Sequence, residues 1–170
     1  VLRESRKIIA DALAMTYHAK MQTEPLSWPL RMGIIPTIAP YFLPRILKPL
    51  QKGLPKLDLQ IHEIRSAPLV EKIHDGSLDF AVMAFPYDTG GLKEKILFDE
   101  KFMLAAPPKT YTEKKTVTLK DLETEKLLLL EDGHCLRDHA LAACRLRNFK
   151  EQKTLSAASL STLIQMVHQG

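Results

Sequence analysis

Glu131-Asp132-Gly133-His134-Cys135-Leu136-Arg137-Asp138-His139, with Cys144 nine residues beyond Cys135, is the stretch of the chain with chemistry to offer. It follows an apolar run, Leu127 to Leu130, and opens a helical pattern. A strand end facing a helix N-terminus is where α/β domains place reactive groups, because free backbone N–H groups stabilise negative charge there. A cysteine reacts as a nucleophile in its thiolate form. His134 is adjacent to Cys135, Arg137 lies in the same turn and His139 follows at i+4. These cations and the helix terminus favour the anion, whereas Asp132 and Asp138 oppose it. Two buried structural cysteines are the plain alternative, since free cysteine is among the most buried residue types.

The spacing of the two cysteines has a mechanical meaning. Nine residues of ideal helix turn through about 900° and rise about 13.5 Å, which sets the two side chains on opposite faces. A disulfide needs Cα atoms within roughly 7 Å. If the whole segment is helical, bridging Cys135 to Cys144 requires the helix to unwind.

Other chemistries fit less well. His134, Cys135, His139 and Cys144 could supply four metal-ligand atoms, but Cys144 faces away on a helix and the spacing matches no common zinc pattern. No metal or other cofactor is expected. Cys135 and His139 could form a nucleophile and base, yet no Asn or Asp can be assigned to orient the base. No GxGxxG, P-loop or HExxH motif is present. His18, His62, His74 and His168 stand singly.

The elements that must position this stretch follow from the apolar pattern. Residues 2–21 lack Gly and Pro, and Leu2, Ile9, Leu13 and Tyr17 fall on one helical stripe. A linker or dimerising helix over 1–24 and a helix packed on its own domain are both open readings, ended by Glu24-Pro25 and Trp28-Pro29. Strands are predicted at Leu30–Ile35, Leu57–Ile64 and Leu78–Phe85, with helices at Tyr41–Leu50 and Leu69–Ile73 between them. This β-α-β-α-β series predicts a parallel sheet with helices on its faces. After a turn at Pro86–Gly91, shorter strands are expected at Ile96–Phe98, Phe102–Ala106 and Leu127–Leu130. Pro107–Thr116 reads as a loop, Arg137–Leu146 as a helix, and Leu160–Val167 as a last helix with Ser159 as N-cap.

Composition sets the outer limits. Hydrophobic residues make up 45% and charged residues 26% of the chain, an ordinary globular balance. The formal charge of +4 is mild and interleaved, so this piece has no basic stripe for nucleic acid. No apolar run approaches the ~20 residues of a membrane helix. The start at Val1, without an initiator Met or signal-peptide layout, reads as a cut from something longer. A cytoplasmic, reducing setting is expected, in which a lasting bridge is not, and any chemistry of the two cysteines would be redox sensing, metal binding or catalysis, or none at all.

Residues 131–138, with Cys144 beyond them, closely resemble the redox loop of OxyR-type peroxide sensors, within the LysR-type transcriptional regulators. The resemblance extends over nearly the whole chain. Gly33-Ile34-Ile35-Pro36-Thr37-Ile38-Ala39-Pro40-Tyr41 resembles the first strand and helix start of their regulatory domain. Leu97-Phe98-Asp99-Glu100 resembles the entry to the second subdomain, and Ser159–Leu163 with Met166-Val167 a late helix.

The resemblance implies a two-lobed, periplasmic-binding-protein-like α/β domain, truncated at its C-terminus. Its parts would be a linker helix over 1–24, regulatory subdomain I over 30–98 and subdomain II over 99–170. It implies a sensor that consumes hydrogen peroxide stoichiometrically, not an enzyme. Cys135 would be the peroxidatic thiol and Cys144 its disulfide partner. Thr37, Ser66, His134, Arg137 and Asp138 would surround the peroxide. Further implied are DNA binding through a helix-turn-helix domain outside this chain, a homo-oligomer (dimer or tetramer), and a thiol reductant such as glutaredoxin or thioredoxin. Two other readings stand beside it: a LysR-type effector domain binding a small metabolite with incidental cysteines, and a thiol peroxidase.

Overall fold

The computed structural model describes residues 29–107, 127–144 and 157–169, together with residues 4, 5, 8, 9, 12, 15, 110, 116–118 and 120. The chain forms two compact units, Val1–Phe85 and Pro86–Gly170. Most of the expected N-terminal helix lies outside the described residues. Glu4, Ser5, Ile8, Ile9, Ala12 and Met15 are helical and exposed.

The first unit is built on a three-stranded parallel sheet. Its elements run β1 (Pro29–Ile34), α1 (Ala39–Gly53), β2 (Asp58–Glu63), α2 (Ser66–His74) and β3 (Phe80–Val82). The strand order is β2-β1-β3, so each helix serves as the crossover that a parallel pair requires. β1 pairs along its whole length with β2, from Pro29↔Asp58 to Ile34↔Glu63. With β3 it pairs over Met32↔Phe80, Gly33↔Ala81 and Ile34↔Val82. The apolar run that predicts a strand from residue 30 therefore becomes the central strand, where Met32, Ile34 and Ile35 are buried beside Leu69, Val70 and Leu78.

Gly33 shows how closely that core is packed. A Cβ at this position would fall 2.7 Å from Leu78 Cδ1 and 3.2 Å from Leu69 Cδ1, nearer than carbon atoms tolerate. The expected strand at residues 78–85 shrinks to Phe80–Val82 for a specific reason. Leu78 turns into the core, and the Asp79 carboxylate accepts from Arg31: its backbone N at 2.7 Å and its Nη2 at 2.8 Å. α1 opens with Ala39-Pro40 in its first turn, where the missing proline N–H removes no helical hydrogen bond.

The second unit has far less regular pairing among its described residues. Strands expected at residues 96–98 and 102–106 do not form, and no strand occurs over 92–107. Ile96, Leu97, Phe98, Phe102 and Met103 are instead exposed. Their apolar character fits a sheet face, but among the described residues they form no β-ladder. Residues 127–130 form no extended strand either. They contribute a single parallel bridge, Leu130↔Ala157, closed by Glu131 N–H donating to Ala157 O at 3.1 Å.

Two helices complete this unit: α3 (Cys135–Ala143) and α4 (Leu160–Gln169). Leu130, Ala157 and Leu163 form its buried apolar cluster, with Leu128, Leu136 and Leu160 packed against it. α3 starts two residues before the expected Arg137, and residues 145–146 of the expected helix lie outside the described residues. Ser159 precedes α4 as expected, but its Oγ lies 2.6 Å from Ser161 Oγ. No described helix is long and apolar enough to cross a membrane.

Candidate functional site

The approach to Cys135 is a tight turn between a bridged segment and a helix. Gly133 adopts φ 90°, a conformation that glycine takes without the steric penalty of a Cβ. His134 then sits extended at φ −97° and ψ 116°, at the N-cap, with no side-chain capping bond. Its carbonyl accepts from Arg137 N at 2.9 Å. Cys135 is thereby the first residue of α3.

The Arg137 side chain braces this turn from within. Its Nη1 donates to the buried Leu130 carbonyl at 3.0 Å, and its Nε lies 2.8 Å from the Asp132 carboxylate. One buried guanidinium thus ties the end of the bridged segment, the turn and the first helical turn together. Its planar fork suits this, since it presents several donors in fixed directions. Asp132 is largely exposed at its side chain, so the buried carbonyl contact carries more weight than the ion pair.

Both cysteines are free, and they mark the two ends of one helix. Cys135 is buried at 3% exposure. Cys144 is the C-cap of α3 and half-buried, and its N–H donates to Ala140 O at 2.9 Å. The intervening helix separates them by about 13.5 Å of rise. In this state they cannot bridge.

A second contact fixes the far side of α3. His139 Nε2 lies 2.7 Å from Pro86 O. A carbonyl oxygen only accepts, so Nε2 carries the proton. The next residue, Tyr87, has its hydroxyl pKa raised above 10.0, mainly by burial and further by charge on Cys135, Asp138 and Asp88. The segment continues through buried Thr89, whose hydroxyl donates to Glu94 at 2.6 Å.

Of the residues singled out from sequence, His134, Cys135, Arg137, Asp138 and Cys144 gather on or beside α3. His134 and Arg137 are buried, and Asp138 is exposed. Thr37 and Ser66 belong to the first unit. Thr37 lies in the turn between β1 and α1, and Ser66 opens α2. Ser66 is buried, and its Oγ has no hydrogen-bond partner. Sequence reasoning missed Pro86 and Tyr87. An aromatic residue inside the expected Pro86–Gly91 turn was the available signal, and it names no partner. Among the described residues no group of three His, Cys, Asp or Glu side chains converges as a metal site would.

A family model described as the LysR substrate binding domain matches residues 24–170. The chain is 41% identical, over 98% of its length and 56% of the relative's, to the HTH-type transcriptional regulator EstR of Acinetobacter baylyi. A solved reduced form of OxyR is 38% identical, with a TM-score of 0.73, covering 85% of this chain and 68% of that one. A hydrogen-peroxide-bound cysteine-to-serine variant of Corynebacterium glutamicum OxyR is 34% identical with a TM-score of 0.79. That match covers 94% of this chain and 51% of the other. The chain spans about half the length of the curated relatives it matches.

Proposed function

The chain belongs to the LysR substrate-binding domain family, and from that membership we propose that it is the redox-sensing regulatory domain of a DNA-binding transcription factor, switched by hydrogen peroxide. The observation that carries this reading is the placement of two free cysteines at opposite ends of one nine-residue helix, the first buried at its N-terminus. Similarity to OxyR regulatory domains supports it.

The chemistry balances in two steps. The Cys135 thiolate attacks one peroxide oxygen, the O–O bond breaks and hydroxide leaves, giving a sulfenic acid. Cys144 sulfur then attacks Cys135 sulfur, the S–O bond breaks and water leaves, giving the disulfide. The second step brings together atoms that α3 holds apart, so the helix opens as the bond forms. Reduction by a dithiol reductant such as glutaredoxin or thioredoxin restores the helix.

The surrounding residues have distinct tasks in this reading. Thr37 and Ser66 hydroxyls can each donate to and accept from peroxide, and the Ser66 Oγ is buried with no hydrogen-bond partner to compete. His134 and Arg137 stand at the end of the helix that carries the thiol and are candidate donors to the departing hydroxide. Asp138 completes the polar surroundings. The linker helix over 1–24, subdomains over 30–98 and 99–170, a helix-turn-helix domain beyond this chain and assembly as a homo-oligomer belong to the same proposal.

A second reading has one observation in its favour. The EstR relative, at 41% identity, is named without reference to peroxide. It leaves an effector domain that binds a small metabolite while its cysteines stand idle. One equivalent of peroxide decides between them. The sensor loses both thiols together, yields a bridged Cys135–Cys144 peptide on mass spectrometry and loses helical circular dichroism. Loss of one thiol only, or no bridged peptide, overturns the sensor reading.

A further inference from the structure

We propose that His139 is a positioning residue that fastens the Pro86–Thr89 segment to the redox helix, and that forming the Cys135–Cys144 disulfide breaks this fastening. The second half of the proposal rests on the sensor reading above. The first half rests on geometry alone.

His139 lies one helical turn beyond Cys135, the spacing that puts two side chains on the same face. Its Nε2–H donates to Pro86 O across 53 residues of sequence. Pro86 is the first residue of the second unit, in the chain that follows β3. His139 therefore joins the helix that changes on oxidation to the start of the segment leading onward from the first sheet. The neighbouring Tyr87 reports the same closeness, because charge on Cys135 and Asp138 acts on its hydroxyl.

His139 also lies inside the loop that the disulfide would close, four residues after Cys135 and five before Cys144. The imidazole reaches Pro86 because residues 135–143 are helical. Once Cys135 and Cys144 join, the helical turns between them cannot persist. The ring is then carried away from the carbonyl. The segment from Tyr87 to Gly91 loses its hold on α3, although Thr89 and Glu94 keep their own bond.

The test is hydrogen exchange read by mass spectrometry on peptides covering residues 87–91, in wild type, His139→Ala and His139→Gln. Disulfide mapping is done on the same samples. Glutamine keeps an N–H donor, so it should retain protection where alanine does not. In the reduced protein, His139→Ala should speed exchange in 87–91 about fivefold, the equivalent of one net hydrogen bond near 1 kcal/mol. His139→Gln should stay close to wild type. The mapped disulfide form of wild type should exchange like reduced His139→Ala. In glutathione buffers, alanine should shift the dithiol–disulfide equilibrium about fivefold toward the disulfide, since a bond belonging to the reduced state is gone.

Equal exchange in reduced wild type and His139→Ala, with helical circular dichroism intact, overturns the fastening. A mapped disulfide without faster exchange in 87–91 overturns its release on oxidation. If peroxide yields no disulfide, the sensor reading and the release fail together, while the reduced-state comparison of alanine and glutamine still decides the fastening.

Discussion

The first unit and the cysteine-bearing part of the second are held together in different ways. β1 is flanked by partners on both sides, with six register pairs to β2 and three to β3, and Gly33 packs closely against Leu69 and Leu78. Around Cys135, the described backbone pairing is one bridge, Leu130↔Ala157. α3 has nine residues and no side-chain N-cap, shorter than the ~12–15 residues at which an isolated helix becomes even marginal. Packing of Leu136 and the anchors made by Arg137 and His139 keep it formed. A sheet of the first kind resists local opening, whereas a helix of the second kind can open without unfolding its surroundings. In the sensor reading proposed above, the change on oxidation falls on the less regularly paired of these two regions.

The largest effect should come from striking the rigid region. Leu69→Ala removes a fully buried side chain and should destabilise the protein by about 2–5 kcal/mol, read from urea unfolding. Formation of the bridged peptide in the folded fraction should be unchanged. A Leu69→Ala protein as stable as wild type would break the contrast at its firmer end.

A smaller, more local effect is expected at Arg137. Arg137→Ala leaves the buried Leu130 carbonyl without its Nη1 donor, a loss of about 1–3 kcal/mol. It should appear as faster hydrogen exchange over residues 131–137 and leave β1 protection untouched. Exchange rising equally in both regions would mean that the two are one cooperative body.

The smallest effect is confined to alkaline pH. The folded-state pKa of Tyr87 is raised, so its phenol keeps its proton to higher pH in the folded chain than in the unfolded one. The stability this confers is fully present below pH 10.0 and is lost as pH rises through the folded value. Tyr87→Phe should remove that part of the alkaline slope while changing stability at neutral pH by no more than about 0.5 kcal/mol. Unfolding midpoints measured on both sides of pH 10 check this. An unchanged slope would separate Tyr87 from the electrostatics around Cys135.

How much could be read in advance follows the same division. The sheet was legible because each strand of the first unit carries its own apolar or alternating pattern, with a helical pattern between each pair, the second of them closed at Asp75-Gly76. The later start of β3 was not, because Leu78 turns into the core and the Asp79 carboxylate binds Arg31, a partner 48 residues away. Ile96–Phe98 and Phe102–Ala106 have the composition of strands, but composition reports the taste of a side chain and says nothing of a partner. At the site, the pattern expected from Arg137 disclosed the cysteine helix but not its first turn, which begins two residues earlier at Cys135. The brace from Arg137 to Leu130 and the link from His139 to Pro86 end on backbone carbonyls. Any residue can supply a carbonyl, so those contacts leave no mark in the sequence.

The bridge at Leu130↔Ala157 lies just before the turn that leads into the cysteine helix, and that helix sets the distance between Cys135 and Cys144. Oxidation would shorten that distance. About 13.5 Å of helix becomes a gap of at most roughly 7 Å between joined cysteines. The side chains moored along the helix would move with it: Arg137 on the Leu130 carbonyl and His139 on the Pro86 carbonyl are the lines through which such a contraction would be felt.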